Sequence, residues 1–417
     1  MCVCVQKNKG LSKRQSPRHR PSSKATRQAW MTQVNRFAVA FLLHLASNAL
    51  VQNVRDGQSA TTERGTAWLL VVWTAASALA FGYPMSLLQD ARSESKIVGM
   101  ILGAYSMLLV AWSFHASSLM TLFHITTSVG SVLTTSFIWA LASEEHLQHF
   151  NLFSLAASAG QGLGSMLAWM LLDLVPYAEA HWLLVGAGMF TAAAAVLVHR
   201  TEPAGKPLAR EVKPVAMAVA ADVPWDWKYV ALVAAFSFLY GLTTSSTLLA
   251  RSDAFREAKF SWARASALSS RISSASALAS VAFQLANVRL SHRVALLSLP
   301  VITGASFVIS HRITAWDRVT VTCVASFLLR VASFALSKPS REALYGAMSR
   351  GEKYTSKPLI DSVVNRVGQG AGALLHAALM TQPETLKASS HVGVALVWAA
   401  LTLWLVDRFE TKMSKRE

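Results

Sequence analysis

The sequence predicts an all-α membrane protein in which about twelve transmembrane helices form two six-helix halves. Three observations carry this expectation. Of 417 residues, 53% are hydrophobic and only 15% charged, with a mean hydropathy of +0.37, too apolar for a surface that must be wetted. Apolar runs of roughly 17–26 residues, long enough to cross a hydrocarbon core at about 1.5 Å per residue, recur about twelve times. A polar stretch containing Pro203, Pro207, Pro214 and Pro224 divides those runs into two equal sets.

In chain order, residues 1–36 form a disordered basic tail with nine lysines and arginines and no acid. This composition also suits an organelle transit peptide, but no clear amphipathic face accompanies it. The first half, 37–199, holds spans at 37–54, 66–88, 97–114, 117–142, 151–172 and 181–199. A linker at 200–227 follows, and the second half, 228–406, holds spans at 229–250, 266–288, 294–310, 318–336, 358–381 and 390–405, before a short tail at 407–417. Pro84 predicts a kink in the second span, and Pro358 opens the eleventh where a missing N–H costs nothing.

An even number of spans puts both termini on one side. Assigning lysines and arginines to the connections gives 26 on that side against nine on the other, which places the termini in the cytosol. The host membrane is not legible. The net charge of +17 is concentrated in tails and connections and does not imply nucleic-acid binding. Cys2, Cys4 and Cys323 make neither a disulfide framework nor a zinc site, and His146 with His149 reads as a solvated loop. No serine has the partners that nucleophilic catalysis needs, so no enzyme, cofactor or metal is expected.

Ionisable groups within apolar spans are costly and mark solute pathways. Arg55, Arg271, Arg330 and Arg366 are therefore the candidate substrate-binding residues, and their excess over Asp56 and Asp361 favours an anionic solute held by forked guanidinium contacts. Asp56, Asp361, Asp90, Arg92, Arg341, Glu342, Glu352 and Lys353 are candidates for coupling or gating. The small residues around Gly160, Gly162 and Gly164 read as a helix-packing seam, not as a dinucleotide loop, because no strand precedes them.

The segment Lys338-Pro-Ser-Arg-Glu-Ala-Leu-Tyr345, then Arg350-Gly-Glu-Lys-Tyr354, Lys357-Pro-Leu-Ile-Asp361 and Arg366, resembles the signature of the nucleotide transporter (ATP:ADP antiporter) family, a branch of the major facilitator superfamily. Weaker echoes lie at Val54-Arg55-Asp56, Gly160 to Gly164 and Arg271-Ile272. The chain departs from the pattern at Gln52, Ser273 and Gln369, and near Ala142 and Ser143, which marks a divergent member. The resemblance implies a fold of major facilitator type that moves nucleotides of ATP/ADP kind, or other phosphorylated organic anions, by alternating access. Two other readings are a transporter of an unrelated solute on the same fold and a non-transporting scaffold or receptor derived from it. The expected partners are an anionic, nucleotide-like small molecule and the lipid bilayer, with the chain a monomer.

Overall fold

Helices make up nearly all of the computed structural model, which describes residues 24–61, 71–72, 76, 95–115, 119–145, 150–174, 180–200, 226–286, 290–310, 315–349, 352, 356–357 and 359–414. The first half contains α1 (Lys24–Thr61), α2 (Ser95–His115), α3 (Met120–Glu145), α4 (Phe150–Leu174) and α5 (Ala180–His199). The second contains α6 (Trp227–Glu257), α7 (Trp262–Leu285), α8 (His292–Ser310), α9 (Ala315–Val331), α10 (Lys338–Gly346), α11 (Asn365–Leu379) and α12 (Glu384–Ser414). The expected second span, the linker, His146, His149, Pro84, Pro358, Asp90, Arg92 and Lys353 fall mostly or wholly outside the described residues.

Several boundaries differ from the expected ones for local reasons. Helix α1 starts at Lys24, so residues 24–36, expected as tail, are helical. Helix α6 is capped by Asp226, whose carboxylate accepts the Tyr229 N–H at 3.1 Å, and it continues to Glu257, well past the end of its apolar run. Ser261 caps α7 in the same way. The segment after Leu336, expected as a loop, continues as helix: a π-helical turn over Ala332–Ser337 leads into α10, with Pro339 in the first turn where proline is tolerated.

Among the described residues, eight helices are long and apolar enough to cross a membrane. Helices α3, α7 and α11 lie in the same bundle but fall outside that set. For α7 the reason is the row of serines on its buried face, which lowers its hydropathy while hiding polarity inside. The surface has the opposite character. Met107, Phe114, Val301 and Leu396 are among the most exposed side chains, while His44, Arg251 and many serines are buried. Apolar outside and polar inside suits lipid as the solvent.

Packing within each half follows one plan. Helix α1 lies against α4 and α5, and α2 against α5, while in the second half α6 lies against α11 and α8 against α12. The halves meet where α4 packs on α7 and α1 packs on α7 and α6. Gly160 and Gly164 of α4 sit against the carbonyls of Leu42 and Ala46, and Gly368 and Gly372 of α11 sit against those of Phe238 and Leu242. Both seams are small-residue stripes that bring two helix backbones into contact. The first and fifth helices of one half thus repeat in the other, with an offset of 196 residues from Leu42 to Phe238 and from Ala46 to Leu242.

At the end of the bundle where α1 begins, called here the near end, polar ties fasten the second half to itself. Glu352 accepts the backbone N–H of Asp226 at 2.6 Å and of Ser349 at 2.7 Å. Asp226 pairs with Lys412 at 3.0 Å, and Lys357 pairs with Glu342 at 2.7 Å. Tyr345 donates its hydroxyl to Asp361 at 3.0 Å, and Arg341 lies over the Tyr240 ring. Each of these ties to Arg341, Glu342, Glu352 or Asp361 joins elements of the second half. Burial alone would raise the Glu352 and Asp226 carboxyls, but the amide donors and, for Asp226, Lys412 outweigh it and hold both below the usual carboxylate range.

The glycine seams and the near-end ties are each open to a direct stability measurement. Gly372→Ala drives a methyl into the Leu242 carbonyl, and we expect a loss of roughly 1–3 kcal/mol, read as a lower midpoint of thermal unfolding of the purified protein. For the near-end carboxylates, folded pKa values below the unfolded ones mean that their stabilisation is complete above the unfolded carboxylate range and is lost as pH falls below about 4. The thermal midpoint should fall more steeply below that pH in the wild type than in Asp226→Asn/Glu352→Gln, which starts lower at neutral pH.

Candidate functional site

The far end of the bundle, where α1 finishes, holds the charges that matter most. Because α6 runs on to Glu257, it carries Arg251 inside the protein, where the guanidinium meets Asp56 of α1 at 2.8 Å. The pair crosses from one half to the other, and its side chains are only 3% and 8% exposed. Arg330, from the last turn of α9 just before the π-helical turn, brings Nη2 to 3.9 Å of the same carboxylate oxygen and donates from Nη1 to the Ser273 hydroxyl at 2.6 Å. Two buried guanidiniums therefore face one carboxylate.

The internal repeat explains part of this arrangement. The offset of 196 that relates Leu42 to Phe238 and Ala46 to Leu242 also relates Arg55 to Arg251, so each half contributes one arginine at the equivalent position of its first helix. Arg55 donates to the Ser128 hydroxyl of α3, and its Nε has no hydrogen-bond partner among the described residues. Asp56 pairs with Arg251, the repeat equivalent of its own neighbour Arg55. Arg366 donates to Gln369 at 2.7 Å, a neutral partner, and makes no ion pair among the described residues.

Arg271 is placed differently. It is half-exposed, pairs with Asp173 of α4 and lies over the Trp169 ring. The structure thus joins Arg330 to Asp56 and leaves Arg271 at the surface seam between α4 and α7. Arg251 was absent from the sequence-derived set because the apolar run of the seventh span ends at Ala250, which makes the next residue look like a loop charge. The signal that finds it is the repeat offset from Arg55.

A cavity of about 240 Å³ lies beside the cations, between the halves. Arg251 and Arg330 line one part of it, with Thr243, Thr247 and Ser326 supplying hydroxyls. Tyr240, Phe334 and Trp398 form an aromatic part, and Gln52 and Gln161 contribute amides from the first half. The Trp398 indole N–H has no acceptor among the described residues. A second, smaller cavity of about 100 Å³ shares Thr247 and opens toward the far end, past the His376–Asp253 pair at 3.0 Å and the Arg318–Glu257 pair at 2.9 Å. Among the described residues no three His, Cys, Asp or Glu side chains gather as a metal site requires.

Chemically, guanidiniums offer planar pairs of donors that suit anionic oxygens, with hydroxyls and rings beside them. Comparison with known proteins agrees in fold. Residues 218–414 match the family model described as TLC ATP/ADP transporter. No curated protein matches the chain in sequence. Among solved structures, the human organic anion transporter MFSD10 (TETRAN) is 17% identical with a TM-score of 0.61, covering 91% of this chain and 100% of that one. The nucleoside transporter NupG is 14% identical with a TM-score of 0.58, over 91% and 98% of the two chains. A bacterial homolog of the human lysosomal transporter Spinster, inward-facing and unoccupied, is 13% identical with a TM-score of 0.58, over 94% and 97%. The chain has the fold of these solved transporters, and its residues 218–414 match the family model described as TLC ATP/ADP transporter.

Proposed function

We propose that the chain moves nucleotides or closely similar phosphorylated organic anions across its membrane by alternating access, with Arg251, Arg330, Arg366 and Arg55 holding the phosphate oxygens. The observation that carries this reading is the excess of buried guanidinium over carboxylate beside an aromatic-walled cavity between the halves. A metal cation would meet the wrong sign of charge there, and a neutral sugar would leave the guanidiniums uncompensated. Tyr240, Phe334 and Trp398 supply flat apolar surface on which a heterocyclic base stacks. The family that residues 218–414 match points the same way.

The cavity, at about 240 Å³, is below the roughly 300–1,000 Å³ of most ligand sites. Admitting a nucleotide therefore requires the halves to part. Rocking of one half against the other about a fixed central site supplies that motion, and the close contact of Gly162 with Ala277 at the α4–α7 interface is a surface on which it can slide. The distribution of lysine and arginine supports termini on the cytosolic side, and a complete pair of halves supports a monomeric carrier.

Reconstituted into proteoliposomes, the purified protein should take up labelled ATP or ADP in preference to carboxylated anions of similar size. Hydrogen bonds to charged groups contribute about 1.5–3 kcal/mol, so Arg330→Gln and Arg366→Ala should each weaken apparent affinity by roughly tenfold to over a hundredfold. Absence of uptake of every phosphorylated and carboxylated anion in the panel would overturn the reading. Uptake unchanged in both variants would remove the arginines from it and leave transport standing.

A further inference from the structure

We infer that Asp56 is a built-in substitute for the substrate's anionic group: in the empty carrier it occupies the guanidiniums of Arg251 and Arg330 and holds the halves together at the far end, and an arriving phosphate releases it. The inference rests on the anion reading above and adds a consequence for coupling. A carrier held shut when empty and freed when loaded returns across the membrane only with cargo, so it exchanges one anion for another and does not leak.

Four observations support this. First, the contact crosses between the halves, from α1 to α6, and is buried at both ends. Second, it is unbalanced. Arg330 sits 3.9 Å from the Asp56 oxygen, attracted but beyond a hydrogen bond, and spends one nitrogen on Ser273. One carboxylate cannot satisfy two forks, whereas a phosphate chain has the oxygens to do so. Third, Arg251 and Arg330 both line the cavity between the halves, so a ligand inside it reaches the same cations that Asp56 holds.

Fourth, the backbone around the pair is fitted tightly across the same boundary. Ser266 of α7 donates to the Asn53 carbonyl at 3.0 Å, and Gly57 lies so close to Ser266 and Trp262 that even a methyl there would collide. These neighbours make a close-packed closure, but they carry no charge that a substrate can compete for. A second ion pair, Arg271 with Asp173, also joins the halves, but it is half-exposed and does not line the cavity, so the Asp56 pair is the charged contact of the closure that an anion in the cavity can reach. Asp56 therefore acts as a positioning residue, with its effect transmitted through Arg251 and Arg330.

The test compares net uptake of labelled ATP into anion-free proteoliposomes with uptake into ADP-loaded ones. Wild type should favour exchange strongly. Asp56→Asn, and the double variant Asp56→Asn/Arg251→Gln in which no buried charge is stranded, should raise the ratio of net to exchange uptake by roughly tenfold, within the range of measured site-to-site couplings. An unchanged ratio would overturn the inference. A second readout does not depend on transport: spin labels at Leu119 and Leu386, exposed far-end positions in opposite halves, on a chain whose three cysteines are replaced by serine. Without nucleotide the wild type should give short distances and the Asp56 variants a longer population, which adding ADP should also produce in the wild type. Variant distances identical to wild type would sink the lock. If no anion is transported while the variants still open, the lock stands and the anion reading falls.

Discussion

The contact between Asp56 and Arg251 sets the terms for the rest of this protein. Removing two charges from water costs several kcal/mol per ion, and their attraction offsets that only with good geometry and further hydrogen bonds. Here the geometry is good for one arginine and poor for the second, since Arg330 shares the same carboxylate oxygen from 3.9 Å. At an effective dielectric near 20, a unit-charge pair about 4 Å apart is worth about 4 kcal/mol, so Arg330 is attracted without being neutralised. Positive charge then accumulates, because among the described residues Arg366 donates to the neutral Gln369 and Arg55 to the Ser128 hydroxyl. Such an arrangement is costly at the centre of a fold, and an anion placed there would offset the cost.

The helices tolerate this because the remaining packing is local and strong. Each half has a seam in which paired glycines bring two helix backbones into contact, α4 on α1 and α11 on α6. Those seams tie the helices within each half directly to one another. The near-end ties of Glu352, Asp226, Lys412, Glu342 and Lys357 reinforce the second half in the same way. The boundary between halves is held differently, by serine hydroxyls, a small-residue surface and the ion pairs of Asp56 with Arg251 and Asp173 with Arg271.

Much of this was legible in the sequence, and the gaps have physical causes. Apolar runs of bilayer length gave the helical class and the division into halves, and the dense pattern from Lys338 to Arg366 pointed to the family that residues 218–414 match. Gly160 and Gly164 were readable as a packing seam because small residues in an apolar helix have few other uses. Arg251 was not readable as part of the site, since hydropathy ends a span at the first charge whereas a helix ends where its hydrogen bonds and caps do, here after Glu257. Arg271 lies apart from the other arginines for the complementary reason. Its place in an apolar run says nothing about which face of α7 it occupies, and that face looks outward toward Asp173. The partner of Asp56 was equally hidden, because nothing in the sequence relates it to Arg251, and the helix directs the carboxylate across the boundary.

The two halves contribute unequally to the site, and the inequality is instructive. Arg251, Arg330 and Arg366 all come from the half that carries the family's sequence pattern, together with the rings of Tyr240, Phe334 and Trp398. The first half supplies Arg55, the amides of Gln52 and Gln161, and the single carboxylate of Asp56. On the reading proposed above, affinity for an anion would be mainly a property of the second half, while the first would decide whether that affinity is spent internally or on a ligand. A change at Asp56 would then alter coupling while leaving the arginines in place. Divergence concentrated in the first half is thus a route by which such a carrier changes how tightly movement is tied to binding, without rebuilding the surface that recognises the anion.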